Sequence, residues 1–120
     1  MKTCTAPNPF MLRIVAEGSL ITITPTRKRL GISDIEHIFL EAIRQVELGQ
    51  IHILLDFSEV EWVCASTAGF LLELDRRLSN RGGSLKLKGV PDEMRQVLKM
   101  MQLEHRFEIL DSAVPLRNAG

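Results

Sequence analysis

Two hydroxyls and a thiol lie together in the run Cys64-Ala65-Ser66-Thr67, and by type these are the residues best suited to chemistry. A serine or threonine at the start of a helix can accept a phosphate, which adds about −1.5 to −2 charges. The helix N-terminus tolerates that charge, whereas a flat partner surface repels it, so binding would be lost while the fold stays intact. Ser66 and Thr67 are therefore candidate phosphoacceptors. Ser66 also suits the N-cap of a helix, where its oxygen would accept from a backbone N–H. Cys64 has no obvious base near it in sequence and reads as a small buried hydrophobe, not a nucleophile.

Little else in the chain offers reactive groups in a useful pattern. His37, His52 and His105 fall on three different elements, and none has a second His or Cys at metal-ligand spacing, so no metal is expected. The glycine-rich nucleotide fingerprints and the common hydrolase and metalloprotease motifs are absent. Gly82-Gly83 precedes a strand and reads as a turn, not a phosphate cradle. No catalytic residue and no cofactor is assigned. Fifteen basic residues balance fifteen acidic ones, and there is no tyrosine to help build a base-stacking platform, so nucleic acid is not an expected partner. The cluster Arg27-Lys28-Arg29 reads as a solvated turn.

The 120 residues suit one compact domain with its own core. Residues 1–9 hold two prolines and read as a flexible tail, with the domain over 10–120. Cys4 and Cys64 make no disulfide framework, which favours a reducing compartment. Met1 to Phe10 lacks the apolar run of a signal peptide. The apolar runs elsewhere are far shorter than the roughly 20 residues that span a bilayer. A cytoplasmic location without direct membrane insertion is expected.

The elements that must position the junction follow from periodicity. Phe10–Ala16 and Leu20–Thr24, joined by Glu17-Gly18-Ser19, read as a hairpin. Ser33 and Glu36 form a capping box opening a helix, with Ile35, Ile38, Phe39, Ala42, Ile43 and Val46 on its apolar stripe and Gly49 as its stop. Ile51–Asp56 reads as a strand buried on both faces. A link through Val60-Glu61-Trp62-Val63 leads to a second helix over Ser66–Asn80, with Ala68, Leu71, Leu72 and Leu78 inward and Arg76 and Arg77 exposed. Leu85–Lys88 alternates as a strand. Pro91 stands at the first position of a third helix lined by Met94, Val97, Leu98 and Met101. Phe107–Leu110 is the last strand, and Asp111–Gly120 can add a short helix. The order β-β-α-β-α-β-α-β demands crossovers. It predicts one α/β domain with a mixed, mostly parallel sheet, an N-terminal hairpin and helices mainly on one side. In such sheets, partners bind at the strand-to-helix junctions of the carboxyl edge.

The order of segments resembles the STAS family, the domain of anti-sigma factor antagonists and related regulators. The resemblance runs from about Phe10 to Asp111. It is carried by Ile53-Leu54-Leu55-Asp56-Phe57-Ser58 with Val60-Glu61-Trp62-Val63, Gly69-Phe70-Leu71-Leu72-Glu73-Leu74-Asp75-Arg76-Arg77-Leu78, Gly82-Gly83-Ser84-Leu85-Lys86-Leu87, Val90-Pro91-Asp92-Glu93-Met94-Arg95 and Leu103–Ile109. Phosphorylatable members of the family carry Asp-Ser-Ser-Gly or Asp-Ser-Thr-Gly at the start of the second helix. Without a gap, Cys64 stands at the place of the Asp, Ala65 at the phosphoserine and Thr67 at the Gly, with Ser66 one place after the acceptor.

The resemblance implies a protein-binding regulator and no enzyme. Its partner surface would comprise Asp56, Ser58, Trp62, Cys64, Ala65, Ser66, Thr67, Gly69 and Phe70. The partner would be a serine kinase that is also an anti-sigma factor. Alternatively the chain is an adaptor in a signalling scaffold or a lipid ABC transporter, which needs no phosphoserine. A third reading, an enzyme or small-ligand site at the same junction, would require a tight pocket beside Cys64.

Overall fold

Parallel strands cannot be joined by a tight turn, so each parallel pair needs a returning helix, and that rule organises this chain. The computed structural model describes residues 12–103 and 105–110. Strands β1 (Leu12–Glu17) and β2 (Leu20–Pro25) form the antiparallel hairpin, with Gly18 at φ +63° in its turn. A short strand β3 (Arg29–Leu30) precedes helix α1 (Ile32–Glu47). Then come β4 (His52–Asp56), a second short strand β5 (Trp62–Val63), α2 (Thr67–Ser79), β6 (Ser84–Lys88), α3 (Asp92–Met100) and β7 (Glu108–Leu110). The main sheet runs β1-β2-β4-β6-β7, parallel except for the hairpin.

The fold class is the one the alternation of strands and helices predicts, with two additions. β3 and β5 pair in parallel as a small separate ribbon at the carboxyl edge. Two-residue strands carry no periodicity, so Trp62-Val63 reads as a link in sequence. The ribbon also absorbs the basic cluster. Arg27 pairs with Asp34 at 2.8 Å, Lys28 lies 3.7 Å from Glu61, and the Arg29 guanidinium sits 4.8 Å from the centre of the Trp62 ring.

Several local expectations are corrected. α1 starts one residue before Ser33, with Gly31 as its N-cap. Asp34, not Glu36, reaches back, and its carboxylate accepts from the Gly31 N–H at 2.9 Å. The other oxygen of Asp34 holds Arg27, and this double use fixes the register. β4 is buried on one face only: Ile53 and Leu55 face the helices while His52, Leu54 and Asp56 are half-buried. α1 and α2 cover that one face, and His52 Nδ1 meets Ser84 Oγ at 2.9 Å on the other. In α2, Ala68, Leu71 and Leu78 face inward as expected, joined by Leu74 in place of Leu72, which is half-buried. Pro91 is the cap residue of α3 and not its first helical residue, and Met101 is exposed. The N-terminal tail, Phe10 and Met11, and the C-terminal segment from Asp111 lie outside the described residues.

The core runs from Leu12 and Ile14 through Ile53, Leu55 and Phe57 to Leu85, Leu87 and Leu98. One close approach closes it at the amino edge of the sheet. A Cβ on Gly83 would stand 2.0 Å from the backbone oxygen of Ile51. Backbone cannot yield as a flexible side chain can, so Gly83→Ala should destabilise the fold by about 1–3 kcal/mol, the range for overpacking. Chemical denaturation of the two proteins checks this, and an unchanged midpoint would mean the β4–β6 entry is looser than described.

Candidate functional site

The carboxyl edge is assembled by backbone bonds between successive junctions. Phe57 N–H donates to the Lys88 carbonyl at 2.7 Å, and the Trp62 and Cys64 amides donate to Lys28 and Leu30 across the ribbon at 3.0 Å each. Asp56 accepts from the Ser58 amide at 2.9 Å and also from its hydroxyl, forming a tight turn after β4. Gly89, at φ +65°, packs against that turn. Asp56 and Ser58 thus direct their polar groups to each other and shape the loop that carries the rest.

The entry to α2 is closed by its own backbone. The amides of Thr67, Ala68 and Gly69 donate to the carbonyls three residues earlier, at 3.0, 3.3 and 3.1 Å, a 3₁₀-type first turn. Ser66 occupies the N-cap position but is itself in the α-region, at φ −64° and ψ −12°, and makes no side-chain cap bond. That overturns the expected capping role: a cap residue needs an extended backbone for its oxygen to reach forward. Its hydroxyl instead lies 3.2 Å from Cys64 Sγ and remains exposed. Thr67 is 1% exposed, with its hydroxyl 3.7 Å from the same sulfur. Of the two expected phosphoacceptors, only Ser66 stands open to another protein in this conformation. Cys64 is half-buried, less enclosed than its apolar neighbourhood suggested.

The turn into α2 forms a ridge between two shallow grooves. On one side Phe39 of α1 and Phe70 of α2 tilt against each other, with ring centres 5.5 Å apart. With Ser66, Gly69, Glu73 and Arg77 they line an open groove of about 410 Å³. Arg76 and Arg77 hold the Glu73 carboxylate at 2.7 and 3.0 Å, and these hydrogen bonds keep its pKa below the ordinary carboxylate range. The pairing is therefore in place above that range and is lost as pH falls through the lowered value. On the other side Trp62, Val63 and Ala65 face Met94, Val97 and Met100 of α3 across about 330 Å³. Trp62, Cys64, Ala65, Ser66, Gly69 and Phe70 are thus gathered on one surface. Phe39, Glu73 and the α3 residues belong to it too, and only the tertiary fold brings them there.

Both grooves are open to solvent, with Glu73 on the wall of one and Glu93 on the wall of the other. Among the described residues no cluster of His, Cys, Asp and Glu could hold a metal ion. No described helix is long and apolar enough to cross a membrane.

Residues 29–112 match the family described as "Mlab, STAS domain". The chain belongs to the STAS family. Solved structures agree on the fold. A protein from Thermotoga maritima described as a "putative anti-sigma factor antagonist" is similar at TM-score 0.76 and 20% identity, over 85% of this chain and 87% of that one. A STAS domain protein from Planctomyces limnophilus aligns at TM-score 0.73 and 20% identity, over 85% and 91%. The Bacillus cell fate determinant SpoIIAA in its phosphorylated form gives 0.70 and 18%, over 85% and 91%. No curated protein sequence matches significantly. The STAS fold supports a regulatory role exercised through protein contacts.

Gly69 is informative because the fold does not need it. It lies inside α2, and a Cβ there would meet nothing within 4 Å. A helical glycine costs about 0.5–1 kcal/mol relative to alanine. Gly69→Ala should therefore raise stability by about that amount. Ser66→Ala should change it by less than about 0.5 kcal/mol, because no cap bond is lost. Thermal melts of both variants check the pair, and a Ser66→Ala loss of about 1 kcal/mol would restore the capping role.

Proposed function

We propose that this STAS domain is a cytoplasmic anti-sigma factor antagonist that binds a kinase-type anti-sigma factor through the ridge from Trp62 to Phe70. It acts by occupying its partner and not by catalysis, and release of a sigma factor follows by competition. The observation that carries the reading is the ridge itself. Small residues, Ala65, Ser66 and Gly69, stand exposed between two apolar grooves, where a partner surface can approach closely.

The family's acceptor position is held by Ala65, which has no hydroxyl. Docking is then either constitutive or switched through Ser66. A phosphate on Ser66 would sit at the start of α2, beside the groove that also holds the Glu73 carboxylate. The helix N-terminus tolerates such a charge, while an approaching partner surface would not.

A second reading is an adaptor subunit of a signalling scaffold or a lipid ABC transporter. It is favoured by the alanine at the acceptor position and by the matching family's description, which names Mlab.

Affinity capture of the tagged chain from its native cells separates the two. Recovery of a histidine-kinase-like ATPase supports the antagonist reading, and transporter subunits in its place would replace it with the adaptor. Ser66→Asp should reduce partner recovery by about tenfold or more, as burying an unpaired carboxylate in a contact does, with its melting point unchanged. Full recovery with Ser66→Asp would move the interface away from the ridge.

A further inference from the structure

The groove beside Ala65 has features that the core does not require. α3 buries Met94 and Leu98 inward. A second series on the same helix, Glu93, Val97 and Met100, follows at spacings of four and three and so forms another face. That face lines the groove opposite Trp62 and Ala65. Met100 is 81% exposed at its end, although it is a large apolar side chain. Methionine adapts its shape to what it touches and is common on helix-binding surfaces. The Trp62 ring carries the Arg29 guanidinium on its face. Arg29 has no carboxylate partner among the described residues, and neither Glu93 nor Gln96 is engaged there. The groove is thus a mostly apolar trough with the Arg29 cation held on Trp62 beside it and the Glu93 carboxylate on its α3 wall.

We propose that this trough seats an amphipathic helix of the protein partner, a helix carrying a carboxylate that meets Arg29 and a cationic side chain that meets Glu93. The inference rests on the docking reading above and names the chemistry of the partner's contact. A helix fits because its i, i+3, i+4 and i+7 side chains line up along a trough walled by side chains. Strand addition does not fit: β5 is paired with β3 on one side and packed by α3 on the other. The volume of about 330 Å³ leaves room for more than one aliphatic side chain. The trough is continuous with the ridge through Ala65, so one partner can cover both.

The test places the photo-crosslinker benzoylphenylalanine at Met100, at Ser66, or at Leu48 as a remote exposed control, in the full chain in its native cells. Irradiation is followed by mass spectrometry of the linked peptides. The Met100 and Ser66 positions should link to the same protein. The Met100 adduct should lie in a segment with apolar residues at helical spacing and an acidic residue beside them, and Leu48 should not link to it. Arg29→Glu should cut the Met100 adduct by about tenfold, and changing the partner's acidic residue to Lys in that background should restore it. If Ser66 links to a protein while Met100 links to a second copy of this chain, to lipid or to nothing, the trough proposal is overturned and the docking reading stands. An equal Leu48 adduct also overturns it. If neither Met100 nor Ser66 links to a protein, the docking reading itself fails.

Discussion

The parallel pairing of β4 with β2 and β6 is the constraint on which the rest depends. A parallel neighbour can be reached only by carrying the chain back to the same end of the sheet, so α1, α2 and α3 each begin near the carboxyl edge. Three helix entries are forced into one neighbourhood by the topology of the sheet, whatever the side chains there do. The backbone bonds from Trp62 to Lys28, from Cys64 to Leu30 and from Phe57 to Lys88 then tie the entries to each other. The shape of this surface, though composed of loop ends, is set by main-chain bonds between those loops.

How much of this was legible in the sequence depends on the length scale of each signal. The hairpin and the three helices rest on six or more residues each, and their described parts are found close to where periodicity places them; the parallel sheet follows from the alternation of elements, since β4, β6 and β7 hold only five, five and three residues. The β3–β5 ribbon rests on two-residue strands, too short for any pattern to show, so Trp62-Val63 looks like a linker. The capping of α1 was misplaced for a different reason. Ser33 with Glu36 satisfies the local motif, but Gly31 with Asp34 satisfies it too, and the long-range pull of Arg27 on Asp34 decides between them. β4 looked buried on both faces because His52, Leu54 and Asp56 alternate with Ile53 and Leu55 in a mostly apolar run. Its outer face is half-covered because the helices lie on the other side.

The candidate site divides in the same way. The junction from Trp62 to Phe70 is readable from the chain as a run of small residues between a strand and a helix start, and the fold sets it at the carboxyl edge of the sheet. The choice between Ser66 and Thr67 is not readable in that way, because one residue along a helix turns a side chain by about 100°. Here that turn separates an exposed hydroxyl from a buried one. Phe39, Glu73 and the outer face of α3 were not readable as site residues. Phe39 looks like ordinary core, and Met100 looks like the end of an amphipathic stripe, until the fold sets Phe39 beside Phe70 and Met100 in one trough with Trp62.

The chemistry of the ridge follows from how α2 begins. A serine that caps a helix is committed to the fold, since its oxygen satisfies an amide that would otherwise lack a partner. Here the 3₁₀-type first turn satisfies those amides through main-chain carbonyls, and Ser66 is left with only a sulfur contact. The side chain at the tip of the ridge is therefore free to be modified or to meet a partner without cost to the helix. The same independence holds for Gly69, whose missing side chain leaves open space and not relief from a clash. Neither residue is required by the fold. A surface position that the fold leaves undetermined can change without refolding, and on the docking reading proposed above this favours Ser66 and Gly69 over the deeply packed Thr67 as contact residues.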